Sequence, residues 1–223
     1  MKLLFFTCVF LLAFSKVTFS DEVSTWIEFA HKHRTTLSQG EIEIIPHNNG
    51  DLGGTGIALF DEPISAVWQV ITDYPEYSKF MPRNLHSEVL RHQQNTVFFK
   101  TRYESAFPFE AVENESRIVH ETHNPNVLKM TWVAEKTNLE FNRGFWLLIK
   151  DQDFSPAVLV VYQTRFSIAW VPSTLAVGPS QKTLKATMQA ARKRTQAHLP
   201  RYQPLGIRFA WENTNKNLVP SPH

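Results

Sequence analysis

Apolar and polar residues alternate through much of the segment from Asn84 to Trp170. In residues 97–107, Val97, Phe99, Thr101, Tyr103, Ser105 and Phe107 fall on one side; Phe98, Lys100, Arg102 and Glu104 fall on the other. In residues 158–170, Val158, Val160, Tyr162, Thr164, Phe166, Ile168 and Trp170 oppose Gln163, Arg165 and Ser167. Successive side chains of a strand point to opposite faces, so this pattern predicts strands with one apolar and one wet face. The runs 116–122, 127–135 and 144–152 read as further strands. Turn-like RHQQN, HNPN and DQDFSP separate them, which is the spacing of an antiparallel meander.

Three stretches carry helical spacing instead. Trp26, Phe29, Ala30 and Leu37 recur behind Ser24 or Thr25 as a cap, predicting a leading helix within residues 21–39. Ile64, Val67, Trp68 and Ile71 share a face behind Pro63, in a helix that Pro75 ends. After a VPSTLAVGPS link, a long helix is expected from Gln181 to Ala197, capped by Ser180. Its inward stripe is Leu184, Met188 and Ala191 with Thr187 and Thr195, while Lys182, Lys185, Arg192, Lys193 and Arg194 face water. Between the first two helices, EIEIIPHNNGDLGGTGIALF reads as a hairpin about Asn49 and Gly50. A strand, not a helix, follows Gly53, Gly54 and Gly56, which excludes a phosphate loop. Residues 200–223 lose all periodicity and read as an irregular tail.

The apolar strand faces mix large aromatics with Thr, Ser and Tyr hydroxyls. Such a mixture suits an enclosed ligand cavity, whose apolar walls need a few polar groups to orient a guest. It also suits a plain core whose hydroxyls bond to nearby backbone, because alternation reports facing and not emptiness. Both readings stay open at this level.

The order of elements, with the segments GTGIALFDEPISAVWQVITDYPEYSKFMPRNLHSEVL and NRGFWLLIKDQ, resembles the SRPBCC superfamily, the START-like or polyketide cyclase/dehydrase group. The resemblance covers residues 40–199. It implies an α+β helix-grip fold, a curved antiparallel sheet wrapped around a long C-terminal helix. It implies, further, that Tyr74, Tyr77, Phe80 and Met81 after the first domain helix lie near a cavity mouth, with Asp73 and Pro75 shaping the turn. The expected wall or gate residues are Trp68, Phe80, Met81, Phe99, Tyr103, Trp132, Tyr162, Phe166, Leu184 and Met188.

Charge and export change the picture. Lys2, an apolar run from Leu3 to Phe14, then Thr18 and Ser20, have the layout of a secretory signal peptide over residues 1–20. The run of 12 residues is short for a membrane-spanning helix. Cleavage would remove the sole cysteine, Cys8, and Lys2 and Lys16, taking 23 basic residues down to 21 against 21 acidic ones. The sequence pI of 8.7 therefore overstates the mature charge. A neutral chain gives no electrostatic case for nucleic acid. Export without cysteines fits a Gram-negative periplasm, and the expected product is a monomer stabilised by its core, with transient membrane or envelope-protein contact at most. Asn114-Glu115-Ser116 is a glycosylation sequon only in a eukaryotic secretory pathway.

No metal or cofactor is expected. His31 with His33, and His120 with His123, lack a third ligand nearby and read as solvated. No nucleophile elbow appears. Three functions follow in order of preference. The first is a START-like protein binding a hydrophobic small molecule, lipid or isoprenoid-like. The second is a cyclase or dehydratase using Tyr103, Tyr162 or Glu110 as acid or base. The third is an envelope interaction module with a filled core.

Overall fold

A computed structural model describes residues 19–47, 50–105, 110–169 and 173–198. Residues 1–18 of the signal-like segment, Asn49, Phe107, Trp170 and the tail from Pro200 lie outside the described residues. The elements run α1 (Phe19–Lys32), α2 (Arg34–Ser38), β1 (Glu43–Ile45), β2 (Leu52–Phe60) and α3 (Ile64–Ile71). A 3-10 turn (Tyr74–Glu76) and α4 (Tyr77–Phe80) follow. Then come β3 (Asn84–Gln93), β4 (Thr96–Tyr103), β5 (Val112–Asn124), β6 (Val127–Thr137), β7 (Phe141–Ile149), β8 (Val158–Ser167) and α5 (Ser173–His198). The eight strands form one antiparallel sheet in the order β1-β2-β8-β7-β6-β5-β4-β3. Chain order is broken only where β2 pairs with β8, and α5 packs on β2. This is the helix-grip arrangement.

Every residue of β2 is buried, because β2 is covered on both faces. Ala58 and Phe60 join the core beneath α3 and α5, whereas Ile57 and Leu59 join a second core that α1 and α2 close with Ala30 and Leu37. The same two-sided covering reaches β8. Its first half was expected to alternate, yet Val158, Leu159, Val160 and Val161 are all buried, with Leu159 and Val161 packed in the second core. β4 has no second layer and keeps strict alternation, burying Val97, Phe99 and Thr101.

α5 is tied to β2 along one stripe spaced by four residues. The Gly53 amide donates to the Ser180 hydroxyl at 3.2 Å. Leu184 and Met188 then rest on Gly56, where an added Cβ would come within 2.6 Å of Leu184 Cδ2 and 2.3 Å of Met188 Sδ. Arg192 donates to the Leu59 carbonyl at 3.1 Å and the Gly40 carbonyl at 2.7 Å, with its guanidinium over the Phe60 ring.

The helix boundaries correct three expectations. α1 begins at Phe19, so Ser24 and Thr25 lie inside it and do not cap it; their hydroxyls donate to the carbonyls of Ser20 and Asp21, four residues back. α5 begins at Ser173, eight residues before Gln181, with Pro179 in its second turn. Ser180 is accordingly no cap: its hydroxyl donates to the Val177 carbonyl at 2.7 Å while accepting from Gly53. Pro179 forgoes one backbone hydrogen bond, and the tie from the next residue to β2 offsets that loss. After α3 the chain does not turn loosely but coils on through the 3-10 turn and α4, with Pro75 at a position whose missing N–H costs nothing.

That coil is clasped to the sheet by a buried histidine. His120, expected to be solvated, is 1% exposed. Its Nδ1 lies 3.1 Å from the Asn95 carbonyl, which can only accept, so Nδ1 carries the proton and Nε2 accepts the Tyr74 hydroxyl at 2.6 Å. Asn95 also accepts the His120 backbone N–H at 2.8 Å and donates its side-chain amide to the His120 carbonyl at 3.1 Å. The Tyr77 hydroxyl donates to the Ile71 carbonyl. These hydroxyls fix both tyrosine rings against Phe99.

Two outcomes follow from this packing. Gly56→Leu forces side-chain atoms into the space of Leu184 and Met188, and should lower the unfolding free energy in urea by about 1–3 kcal/mol. Burial pushes the His120 imidazole down to about 4 from its ordinary 6.5. The unfolded chain therefore binds a proton that the folded chain refuses, so this contribution is complete above about pH 6.5 and is lost as pH falls toward 4. It amounts to about 3 kcal/mol. Urea titrations of the wild type and His120→Gln across that range should show a shallower pH slope for the variant; equal slopes would remove His120 from the account.

Candidate functional site

Away from the β2 stripe, α5 stands clear of β4–β7, and the gap is a cavity of about 650 Å³. Tyr74, Ile118, Met130 and Trp146, all buried, close its inner end. Arg83, Glu104 and Leu175, all exposed, mark its rim. They are charged or apolar in character, and Arg83 and Glu104 are the sole charged side chains lining the cavity among the described residues.

One wall is paved with stacked rings. Trp146 lies against Tyr162 at 4.2 Å between centroids, and Tyr162 against Trp132 at 5.7 Å. Gly144 pairs with Trp132 across β6 and β7, and a Cβ there would come within 2.4 Å of the Trp132 ring. Only glycine lets the indole lie flat on the strand. The Trp132 indole N–H donates to Asn142 Oδ1 at 3.3 Å, and Asn142 Nδ2 donates to Asn114 Oδ1 at 3.3 Å. Asn114 is 2% exposed and shares the inward alternation of Ser116, Ile118 and His120. A side chain so buried is closed to glycosylation in the folded protein, whatever the sequon.

Of the residues expected at the site, Met81, Phe99, Tyr103, Trp132, Tyr162, Phe166 and Leu184 line this cavity. Three others lie elsewhere. Trp68 is core on α3, edge-on to His120 at 5.7 Å. Phe80 packs on Tyr77 and is covered by the Arg194 guanidinium. Met188 occupies the contact with Gly56, one turn beyond Leu184, the last residue of the stripe that reaches the cavity. Glu110 is also misplaced by the sequence reading: it lines a shallow outer groove with Lys100, Arg102, Glu113, Glu115 and Lys136, not the cavity. That groove is a face of exposed ion pairs, Lys136 with Glu115 at 2.6 Å and Arg102 with Glu113 at 3.5 Å. Hydrogen bonding from Lys136 holds the Glu115 carboxyl below its usual range.

Sequence reasoning overlooked Asn114, Asn142, Gly144 and Trp146. Strand register would have found Trp146, which sits opposite Tyr162. Nothing in the sequence marks the two asparagines as partners, since they lie 28 residues apart and meet only through β6.

The phenols of this site stay protonated at neutral pH. Burial raises the Tyr103 hydroxyl to about 12. Tyr162 is raised as well, by burial first and by its neighbour Tyr103 second, and burial raises Tyr74. Each is a neutral hydrogen-bonding group and not a base. No cluster of three His, Cys, Asp or Glu able to hold a metal ion occurs among the described residues. His31 and His33 instead face Asp153 at 3.2 Å and Glu43 at 3.7 Å.

Comparison with known proteins accords with this geometry. Among solved structures, the chain is similar to a STAR-related lipid transfer protein from Xanthomonas axonopodis. They share 19% identity and a TM-score of 0.57, over 70% of this chain and 98% of the other. It is similar to human STARD10 at 10% identity and a TM-score of 0.58, over 85% and 89% of the two chains. Human StAR-related lipid transfer protein 5 gives 9% identity and 0.57, over 78% and 98%. At such identities these likenesses establish the fold alone. No curated protein matches the sequence. A family model described as "Polyketide cyclase / dehydrase and lipid transport" matches residues 61–193, more than half of the chain. The chain belongs to that family of START-like proteins.

Proposed function

We propose that this protein binds one hydrophobic small molecule, lipid or isoprenoid-like in character, between the sheet and α5, and that it does so in the periplasm. The observation that carries the reading is the cavity of about 650 Å³, aromatic and aliphatic within and charged only at its rim. Its size falls inside the range of about 300–1,000 Å³ typical of small-molecule sites. Burial of a guest there contributes about 25 cal/mol per Å² of apolar surface, before ordering costs are subtracted. Two of the similar structures are named for lipid transfer, which supports the same class of guest.

The lining also weighs against the enzyme reading. A cyclase or dehydratase step needs a base or acid poised near neutrality, whereas Tyr103 and Tyr162 are held protonated and Glu104 stands at the exposed rim. A filled-core module is at odds with the volume enclosed. Periplasmic residence rests on the N-terminal layout of residues 1–20, and transient membrane contact on Leu175, 72% exposed at the cavity rim.

Ser116→Trp tests the site. Ser116 is a buried, small side chain on the cavity face of β5, so an indole there enters open space and not packed core. Uptake of an apolar fluorescent dye should fall at least about tenfold while circular dichroism stays that of the wild type. Undiminished uptake would place the ligand elsewhere.

A further inference from the structure

The polarity of the buried amide relay defines what the ligand must offer. The Trp132 indole can only donate, so the atom of Asn142 facing it is Oδ1, and the atom Asn142 presents to Asn114 is Nδ2. The atom of Asn114 that receives it is therefore Oδ1. What remains at the end of the relay is a donor, Asn114 Nδ2, fully buried and without a hydrogen-bond partner. A buried N–H group left unmade costs free energy that a ligand acceptor recovers. Asn114 lies opposite Thr101, two residues before Tyr103 on the rim side of the cavity, with the apolar inner end beyond Ile118.

We infer that Asn114 Nδ2 is the recognition point for the polar end of the ligand, and that this ligand is an uncharged apolar molecule bearing a carbonyl acceptor, a ketone or an ester. Its carbonyl oxygen takes the Asn114 hydrogen bond near the rim, and its hydrocarbon body runs inward toward Met130 and Trp146. A carboxylate is disfavoured there because no cationic side chain lines the cavity inside its rim among the described residues. This inference rests on the binding reading above and adds the chemistry of the ligand's head.

The test uses the full chain and displacement of bound N-phenyl-1-naphthylamine by 2-tridecanone or tridecane. For each compound the readout is the ratio of dissociation constants between variant and wild type, in which its water solubility cancels. Asn114→Leu keeps the shape and removes the donor. The variant should weaken 2-tridecanone about tenfold and leave tridecane within about twofold. A second measurement needs no variant: the carbonyl stretch of 2-tridecanone bound to the wild type should lie below its frequency in hexane. A hexane-like frequency, or equal effects on ketone and hydrocarbon, would overturn the inference and leave the binding site standing. Displacement by neither compound from the wild type would overturn the binding reading and this inference with it.

Discussion

The structure depends on how closely α5 can approach β2. Ser180, Leu184, Met188 and Arg192 recur every four residues and so share one line along the helix. That line meets Gly53, Gly56 and the Leu59 carbonyl in turn. The absence of a side chain at Gly56 brings the helix down onto this strand. A helix seated so low at one border of a curved sheet cannot also touch the strands that curl away from it. The space left over β4–β7 is the cavity.

The remaining packing follows from which strands carry a second layer. β2, the second half of β7 and the first half of β8 are sandwiched between the α3–α5 core and the core under α1, so they are buried on both faces. This platform holds the helix. β4 and β5 are covered on one side only, and there the inward positions are free to carry Thr101, Asn114 and Ser116 beside Phe99 and Ile118. Polar groups at these positions face a space to be filled by a guest, not a packed hydrocarbon wall. The Tyr74–His120 clasp fixes the coil after α3 to the end of the sheet and so closes the inner end of that space.

The fold could be read from sequence because its signals are periodic. Val97, Phe99 and Thr101 alternate cleanly, Ile64, Val67, Trp68 and Ile71 share a helical face, and both appear in the structure as such. Misreadings arose where local signals met tertiary contacts. Gly178 and Pro179 look like a linker, yet helix runs through them, tied to the sheet at Ser180. Leu159 and Val161 do not fit an alternating strand because α1 returns to cover them. The aromatic wall was partly visible, since Tyr162 and Phe166 sit on a predicted inward face and Trp132 stands among the expected wall residues. Met188 and Trp68 have the same character, but only depth distinguishes core from cavity lining, and periodicity carries no depth. The Asn114–Asn142 contact depends on the register of three strands, and a single sequence holds no direct trace of it.

Native mass spectrometry tests the central claim most directly. The full chain would be produced in a Gram-negative host and purified from the periplasm without detergent. A discrete bound mass is expected, one per chain, that solvent extraction removes and that proves on analysis to be apolar and uncharged. A chain that shows only its own mass, and still does so after incubation with a total lipid extract, would contradict a ligand-holding cavity.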